Sequence, residues 1–307
     1  MKIVIIQKAG EHEKNKDFRE CLNLHRALSR IEGVESKVWG VDFSEFSIPF
    51  SEIEKWADVI FIMENYFKIS YIDFNNPVVQ SGEWIPTLEI SRSKKLKIFW
   101  SIDSHRELQN HKIFCKILNI DILLNSTEGY LKDYNGFVKE SHWFPNSYPD
   151  DLMFPKKVEK NTDIGFCGNV INRGPLINYL GKYGIKKDIF VIGDDMVNVI
   201  NSYKIHFNRN ISNDINYRTF ETTGCGTLLF TNYTSGLEKL FNIGEEIVVY
   251  NDLKDLDVKV KYYLENDEER ERIANAGYER AKKDHTYYER AKTLVSIIKN
   301  RIKNENI

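Results

Sequence analysis

Apolar positions in the first half of the chain fall into short β-branched runs separated by segments with helical spacing. MKIVIIQ opens as a strand, and SKVWG, DVIFIMEN (58–65), KIFWSID (97–103) and DILLNST (121–127) repeat the pattern. CLNLHRALSRI and ELQNHKIFCKILN carry the helical period between them. Strands that are apolar almost throughout and alternate with helices predict a parallel sheet covered on both faces. SHWFPNSYPDDLMFPKKVEKN (141–161) interrupts the rhythm with three prolines and a polar string, the composition of a hinge.

Alternation then resumes with DIGFCGN (163–169), a helix over PLINYLGKY, IFVIG (189–193), KIHFNRN (204–210), TLLFTN (227–232) and EIVVYN (246–251). From about residue 252 the pattern is helical, in three segments. The expected architecture is α/β, with two Rossmann-like domains and a ligand cleft between them, where the carboxyl ends of parallel strands meet a ligand. The expected limits are 1–155, 156–285, and a terminal helix over 286–307 that packs back on the first domain. One segment, 66–96, is long for a connection, and long loops in compact domains tend to bind something.

Composition narrows the function. With 307 residues, the chain has length for two ordinary domains, and 43 basic residues against 45 acidic argue against a dedicated nucleic-acid binder. Cys21, Cys115, Cys167 and Cys225 show no CxxC spacing and sit in apolar segments, as reduced thiols of a cytoplasmic protein do. The first residues are too quickly charged for a signal peptide, and no apolar run reaches the roughly 20 residues of a membrane span.

Candidate chemistry concentrates in NYRTFETTGCGTLLFTN (216–232). Read as a helix over 216–225 capped by Asn213 or Asp214, its amino end offers free amides and a positive dipole to a diphosphate. Tyr217 is a donor-side candidate in the first turn; Arg218, one turn in, adds a charged phosphate donor, and Glu221 on the same face can accept two hydrogen bonds from a ribose diol. A plain i,i+3 surface ion pair accounts for the same spacing.

The run YRTFETTGCGTLLFTNYTSGLEKLF, with GEEIVVYND and RERIANAGYERAKKDHTYYERAKTL, resembles the carboxyl-terminal half of GT-B glycosyltransferases, most closely the CgeB-like, spore-maturation-protein-like group with its group-1-type domain. The matching residues are Arg218, Phe220 and Glu221; Gly226, Leu228 and Leu229, one residue closer than the family spacing; Phe241, Gly244 and Glu246; and His285, Thr286, Tyr287 and Arg290. This resemblance covers about residues 160 to 300. It implies a bacterial or phage-type hexosyltransferase that takes a nucleotide-sugar donor, UDP- or GDP-linked, to a carbohydrate or other hydroxyl acceptor, without a metal or other cofactor. The donor's nucleotide would lie on the carboxyl-terminal domain, with Glu221 on the ribose hydroxyls. A retaining subgroup has a second glutamate eight residues earlier; that position is Asn213, so its catalytic implication is not carried over.

Further candidates stand at strand ends. Gly168 and Asn169 turn the chain after the first strand of the second domain, and Arg173 reaches toward a donor phosphate. Asp194 and Asp195 are expected to cap a helix. Asn208 is a candidate ligand contact, and His206 reads as a core histidine. In the first domain Asp103 and His105 end a buried strand, where a base could deprotonate an acceptor hydroxyl; capping of the following helix by Asp103 or Ser104 is the competing reading. Gly10 and His12 after the first strand, and Tyr66, are acceptor-side candidates. Neither Asp103 with His105 nor Asp150 with Asp151 has further ligands at metal spacing. A nucleotide-sugar 2-epimerase, a non-catalytic nucleotide-binding module and a transferase acting on DNA bases are the competing functions.

Overall fold

The computed structural model describes residues 1–63, 68–73, 76–80 and 85–305. The chain divides into two compact units, Met1–Pro145 with Ala291–Ile307, and Asn146–Arg290.

Unit 1 holds β1 (Lys2–Ile6), α1 (Glu20–Ser29), β2 (Glu35–Trp39), α2 (Phe50–Trp56), β3 (Val59–Met63), the pair β4 (Lys68–Asp73) and β5 (Asn76–Gln80), α3 (Thr87–Arg92), β6 (Leu96–Ser101), α4 (Ser104–Leu118), β7 (Ile122–Asn125) and β8 (Glu140–Trp143). Its main sheet runs β2-β1-β3-β6-β7-β8, every neighbour parallel. The central strands are buried beyond their first residues, and β3 and β7 throughout. A sheet of this kind needs both faces covered, and the near-continuous apolar runs are its signature. Phe99, Phe114, Leu118 and Tyr134 pack in one core with Ile60 and Ile62 of β3.

Unit 2 holds β9 (Thr162–Gly168), α5 (Gly174–Tyr179), β10 (Lys186–Ile189), α6 (Gly193–Ser202), β11 (Tyr203–Phe207), α7 (Tyr217–Gly224), β12 (Leu228–Asn232), α8 (Leu237–Leu240), β13 (Val248–Tyr250), α9 (Leu253–Glu265), α10 (Asp267–Asp284) and the start of α11 (Tyr287–Glu305). The five strands are ordered β10-β9-β11-β12-β13 and are all parallel.

One strand expectation is corrected. IFVIG is not a strand: β10 ends at Ile189, Phe190 turns with φ 56°, and α6 begins at Gly193. The segment 66–96 contains the antiparallel pair β4–β5, although part of it lies outside the described residues. The two units divide at Pro145, within the 141–161 segment; β8 occupies its start, and beyond it Tyr148 bridges Thr286, with Tyr148 N donating to His285 O at 3.2 Å and Tyr287 N to Tyr148 O at 3.0 Å. The four cysteines are free and buried. Among the described residues no helix is long and apolar enough to cross a membrane.

Candidate functional site

In unit 2 the chain goes from β9 outward to β10 and then returns past β9 to β11. At such a reversal of strand order the two following connections diverge, leaving a crevice at the carboxyl ends of β9 and β11. Gly168 ends β9 with φ 148°, a conformation that favours glycine. Asn169 accepts the amide of Ile171 on its side chain at 2.9 Å, so it shapes the turn itself. Arg173 closes the same turn, donating from Nε to Arg209 O at 3.0 Å and from Nη1 to Asn169 O at 3.3 Å. Arg209 reciprocates with Asn172 O at 3.1 Å.

Across the crevice, α7 begins at Tyr217. Asn216 holds its cap position; Asn213 and Asp214, expected as caps, lie in the preceding turn, where Asp214 N donates to Ile211 O at 3.0 Å. Arg218 Nε donates to Cys167 O at 2.9 Å, at the end of β9, and its Nη1 pairs with the Glu221 carboxylate. The i,i+3 ion pair is therefore formed, and it is tied to the neighbouring strand rather than lying loose on the surface. Burial lowers the proton affinity of the Arg218 guanidinium, but Glu221 beside it reverses the sign, and the net shift is upward. Arg173 moves the other way: burial lowers it, and the charges of Arg218 and Arg209 lower it further. Three guanidinium groups thus act on one another at the strand ends, a field suited to a multiply charged anion.

The loop between β11 and α7 is held by amides. Asn208 is buried; its Nδ2 lies 3.2 Å from Asn216 Oδ1 and 3.3 Å from Thr231 Oγ1, and its Oδ1 accepts from Asn216 Nδ2 at 3.1 Å. Its side chain is engaged within the protein, where it fixes the loop that leads into α7. His206 is a core histidine: Nε2 accepts from Cys167 N at 3.2 Å and Nδ1 lies 2.6 Å from Thr222 Oγ1. Burial, with Arg218 nearby, lowers its pKa to about 3. Beside the loop, Asn172, Arg209, Asn213, Asn232 and Thr234 line a pocket of about 280 Å³. Of these, sequence reading singles out only Asn213; Asn172, Arg209 and Asn232 carry no spacing that shows they converge. It also passed over Phe190, 77% exposed and one residue beyond Ile189, which is in register with Gly168.

The terminal motif is structural. His285 Nε2 lies 2.8 Å from Leu240 O, and Arg290, itself buried, donates to Asp284 O at 3.0 Å and Asn146 O at 3.2 Å. Glu246 turns back on its own loop, accepting from Asn242 N at 2.7 Å.

In unit 1, Asp103 stands at the cap position of α4 without making a side-chain cap bond, and pairs with Arg106 at 3.2 Å. Ser104 is the first helical residue, and its hydroxyl meets Ser101 Oγ at 2.6 Å, Tyr134 OH at 2.8 Å and Asn125 Nδ2 at 2.6 Å. Neither side chain caps the helix; a buried network fixes its start instead. His105 Nδ1 is buried with no hydrogen-bond partner among the described residues. Burial lowers the His105 pKa; Asp103 opposes that shift and Arg106 adds to it. After β1, Gly10 lies against Arg19, whose Cδ a β-carbon there would meet at 3.1 Å, and His12 is exposed. Tyr66 lies outside the described residues.

Two parallel Rossmann-like units of these strand orders, with a basic crevice on the second, are those of the GT-B fold. Residues 157–296, just under half of the chain, match the family described as glycosyl transferase-like. Solved structures agree in fold. A sucrose-phosphate synthase from Thermosynechococcus elongatus aligns at 10% identity over 99% of both chains, with a TM-score of 0.66. T4 phage BGT, in complex with UDP and Mn2+, aligns at 14% identity over 97% of this chain and 99% of its own, TM-score 0.64. A putative UDP-N-acetylglucosamine 2-epimerase from Listeria monocytogenes aligns at 13% identity over 99% and 97%, TM-score 0.53. No curated protein matches the chain in sequence.

Proposed function

We propose that the chain is a glycosyltransferase that moves a hexose from a nucleotide-sugar donor to an acceptor hydroxyl without a resident metal. The observation that carries this is the Arg218–Glu221 pair, bonded to the end of β9 and facing the turn that Arg173 closes. Arg173, Arg209 and Arg218 supply the positive field for a departing diphosphate, whose charge grows as the bond to the anomeric carbon breaks. Glu221 accepts from the ribose diol, the exposed Phe190 ring stacks on the base, and the amide-lined pocket beside Asn213 takes the sugar hydroxyls. UDP in the phage structure of the same fold supports a uridine nucleotide as the first one to test.

For acceptor activation we assign Asp103 and His105. A histidine held neutral by burial can accept a proton at neutral pH, which is what a base at an attacking hydroxyl must do. Assignment to the CgeB-like group rests on the four sequence elements, and the cytoplasm on the reduced thiols.

The epimerase-fold likeness supports one competing reading, an isomerase working on the same nucleotide site. Incubation with UDP-sugars in the presence and absence of an acceptor array separates the two. Transfer to acceptor supports the transferase; interconversion of the sugar without acceptor overturns it in favour of the isomerase.

A further inference from the structure

At the amino ends of β6, β7 and β8, on the edge of the unit 1 sheet opposite to Asp103 and His105, lies a pocket of about 530 Å³, in the size range of small-molecule sites. Lys94, Lys95, Lys97, Lys116 and Lys139 line it, and Asp121 is the acid among them. That acid is already committed: one oxygen accepts from Lys97 N at 2.9 Å and the other from Lys139 Nζ at 2.6 Å. Lys97 is 5% exposed, and its ammonium donates to Ser93 O at 2.8 Å, leaving two of its three protons for something else. Lys94, Lys95 and Lys116 make no ion pair among the described residues.

Helices α3 and α4 both end here, and lysines near helix carbonyl ends are ordinary. Magnitude decides against that as the full account. Two helix ends bring about one negative charge between them, Asp121 brings one more, and five lysines exceed the total by about three. Holding so many like charges together, one of them buried, costs stability unless an anion joins them. Ser91, Ser93 and Asn119 add polar groups, and Phe137 and Val138 an apolar wall.

We propose that this pocket binds a ligand carrying a phosphomonoester or diphosphate group, with Lys97 as its buried anchor and Lys94 and Lys116 as its rim. The site is separate from the arginine crevice of unit 2 and does not depend on the function proposed for it.

Protection of individual lysines from acylation, read by mass spectrometry, tests this on the full chain. One probe is inorganic pyrophosphate; the other is neutral-lipid vesicles doped with phosphatidic acid. Protection of Lys94, Lys95 and Lys116 by pyrophosphate, with that of Lys95 weakened about tenfold in Lys94→Gln/Lys116→Gln, supports a soluble phosphate ligand. Protection by the acidic vesicles alone, lost in the same variant, supports a lipid headgroup as the phosphate's source. Protection by neither probe, or protection that the double variant leaves unchanged, overturns the proposal. Both substitutions are at exposed positions, so the fold is not at stake.

Discussion

The carboxylate of Glu221 has a partner before any nucleotide arrives. Its pair with Arg218 uses Oε2, and the proposed function gives Oε1 to the ribose diol. Glu221→Ala should weaken nucleoside diphosphate binding about tenfold or more, since a charge-assisted bond is lost and Arg218 is freed to swing. The pair is mostly but not wholly shielded, so the stability loss should be about 1–3 kcal/mol, with the chain still folded. Calorimetric titration of UDP beside a thermal melt reads both, and unchanged affinity removes Glu221 from the site. His105→Ala and Asp103→Asn should lower kcat while donor affinity stays constant. Three histidines add a pH dependence. Burial lowers His206 and His111 to about 3 and His285 to about 4. These bases stay neutral in the folded chain while the unfolded chain binds protons below its ordinary pKa of about 6.5, so stability is full above that and falls steadily toward pH 4 and below. His206→Phe should flatten part of that acid limb in denaturant midpoints measured across pH.

Elements were largely legible because burial on both faces leaves little freedom in composition. Val59–Met63 and the buried residues 3–6 of β1 read as strands since nothing polar fits there. The exceptions follow from context. Glu140–Trp143 joins the sheet only through its pairing with β7, and its polar sequence at an edge carries no apolar run. Phe190 looks like strand core but turns outward, because the chain must reverse within three residues to start α6. The helix carrying Arg218 and Glu221 was placed within a residue or so, yet its cap moved to Asn216, since the amide network with Asn208 and Asn210 ends the loop later than local capping preference suggests. Spacing could show Arg218 and Glu221 on one face; it could not show Cys167 O beneath them. Close element contacts are also invisible in spacing. A β-carbon on Gly277 of α10 would stand 2.3 Å from Glu246 O, a backbone atom that cannot step aside. Gly277→Ala should therefore cost about 1–3 kcal/mol by thermal or denaturant melts, although alanine is the better helix former.

Across the molecule, unit 1 is discontinuous in sequence: it closes with Ala291, Leu294, Val295 and Ile298 of α11, all buried. Unit 2 is a single uninterrupted stretch, stitched at its two ends by Tyr148 with Thr286 and by Arg290 with Asn146. Residues 146–290 produced alone should give a cooperative melt. Residues 1–145 alone should be markedly less stable, and a peptide of 287–307 should restore them in trans; equal stability with and without the peptide would contradict this. On the ribosome, unit 2 can mature first, while residues 1–145 wait, with apolar side chains uncovered, for Ala291 to Ile298 to emerge. A premature stop near residue 290 would therefore injure unit 1, most of which is made long before the point of truncation.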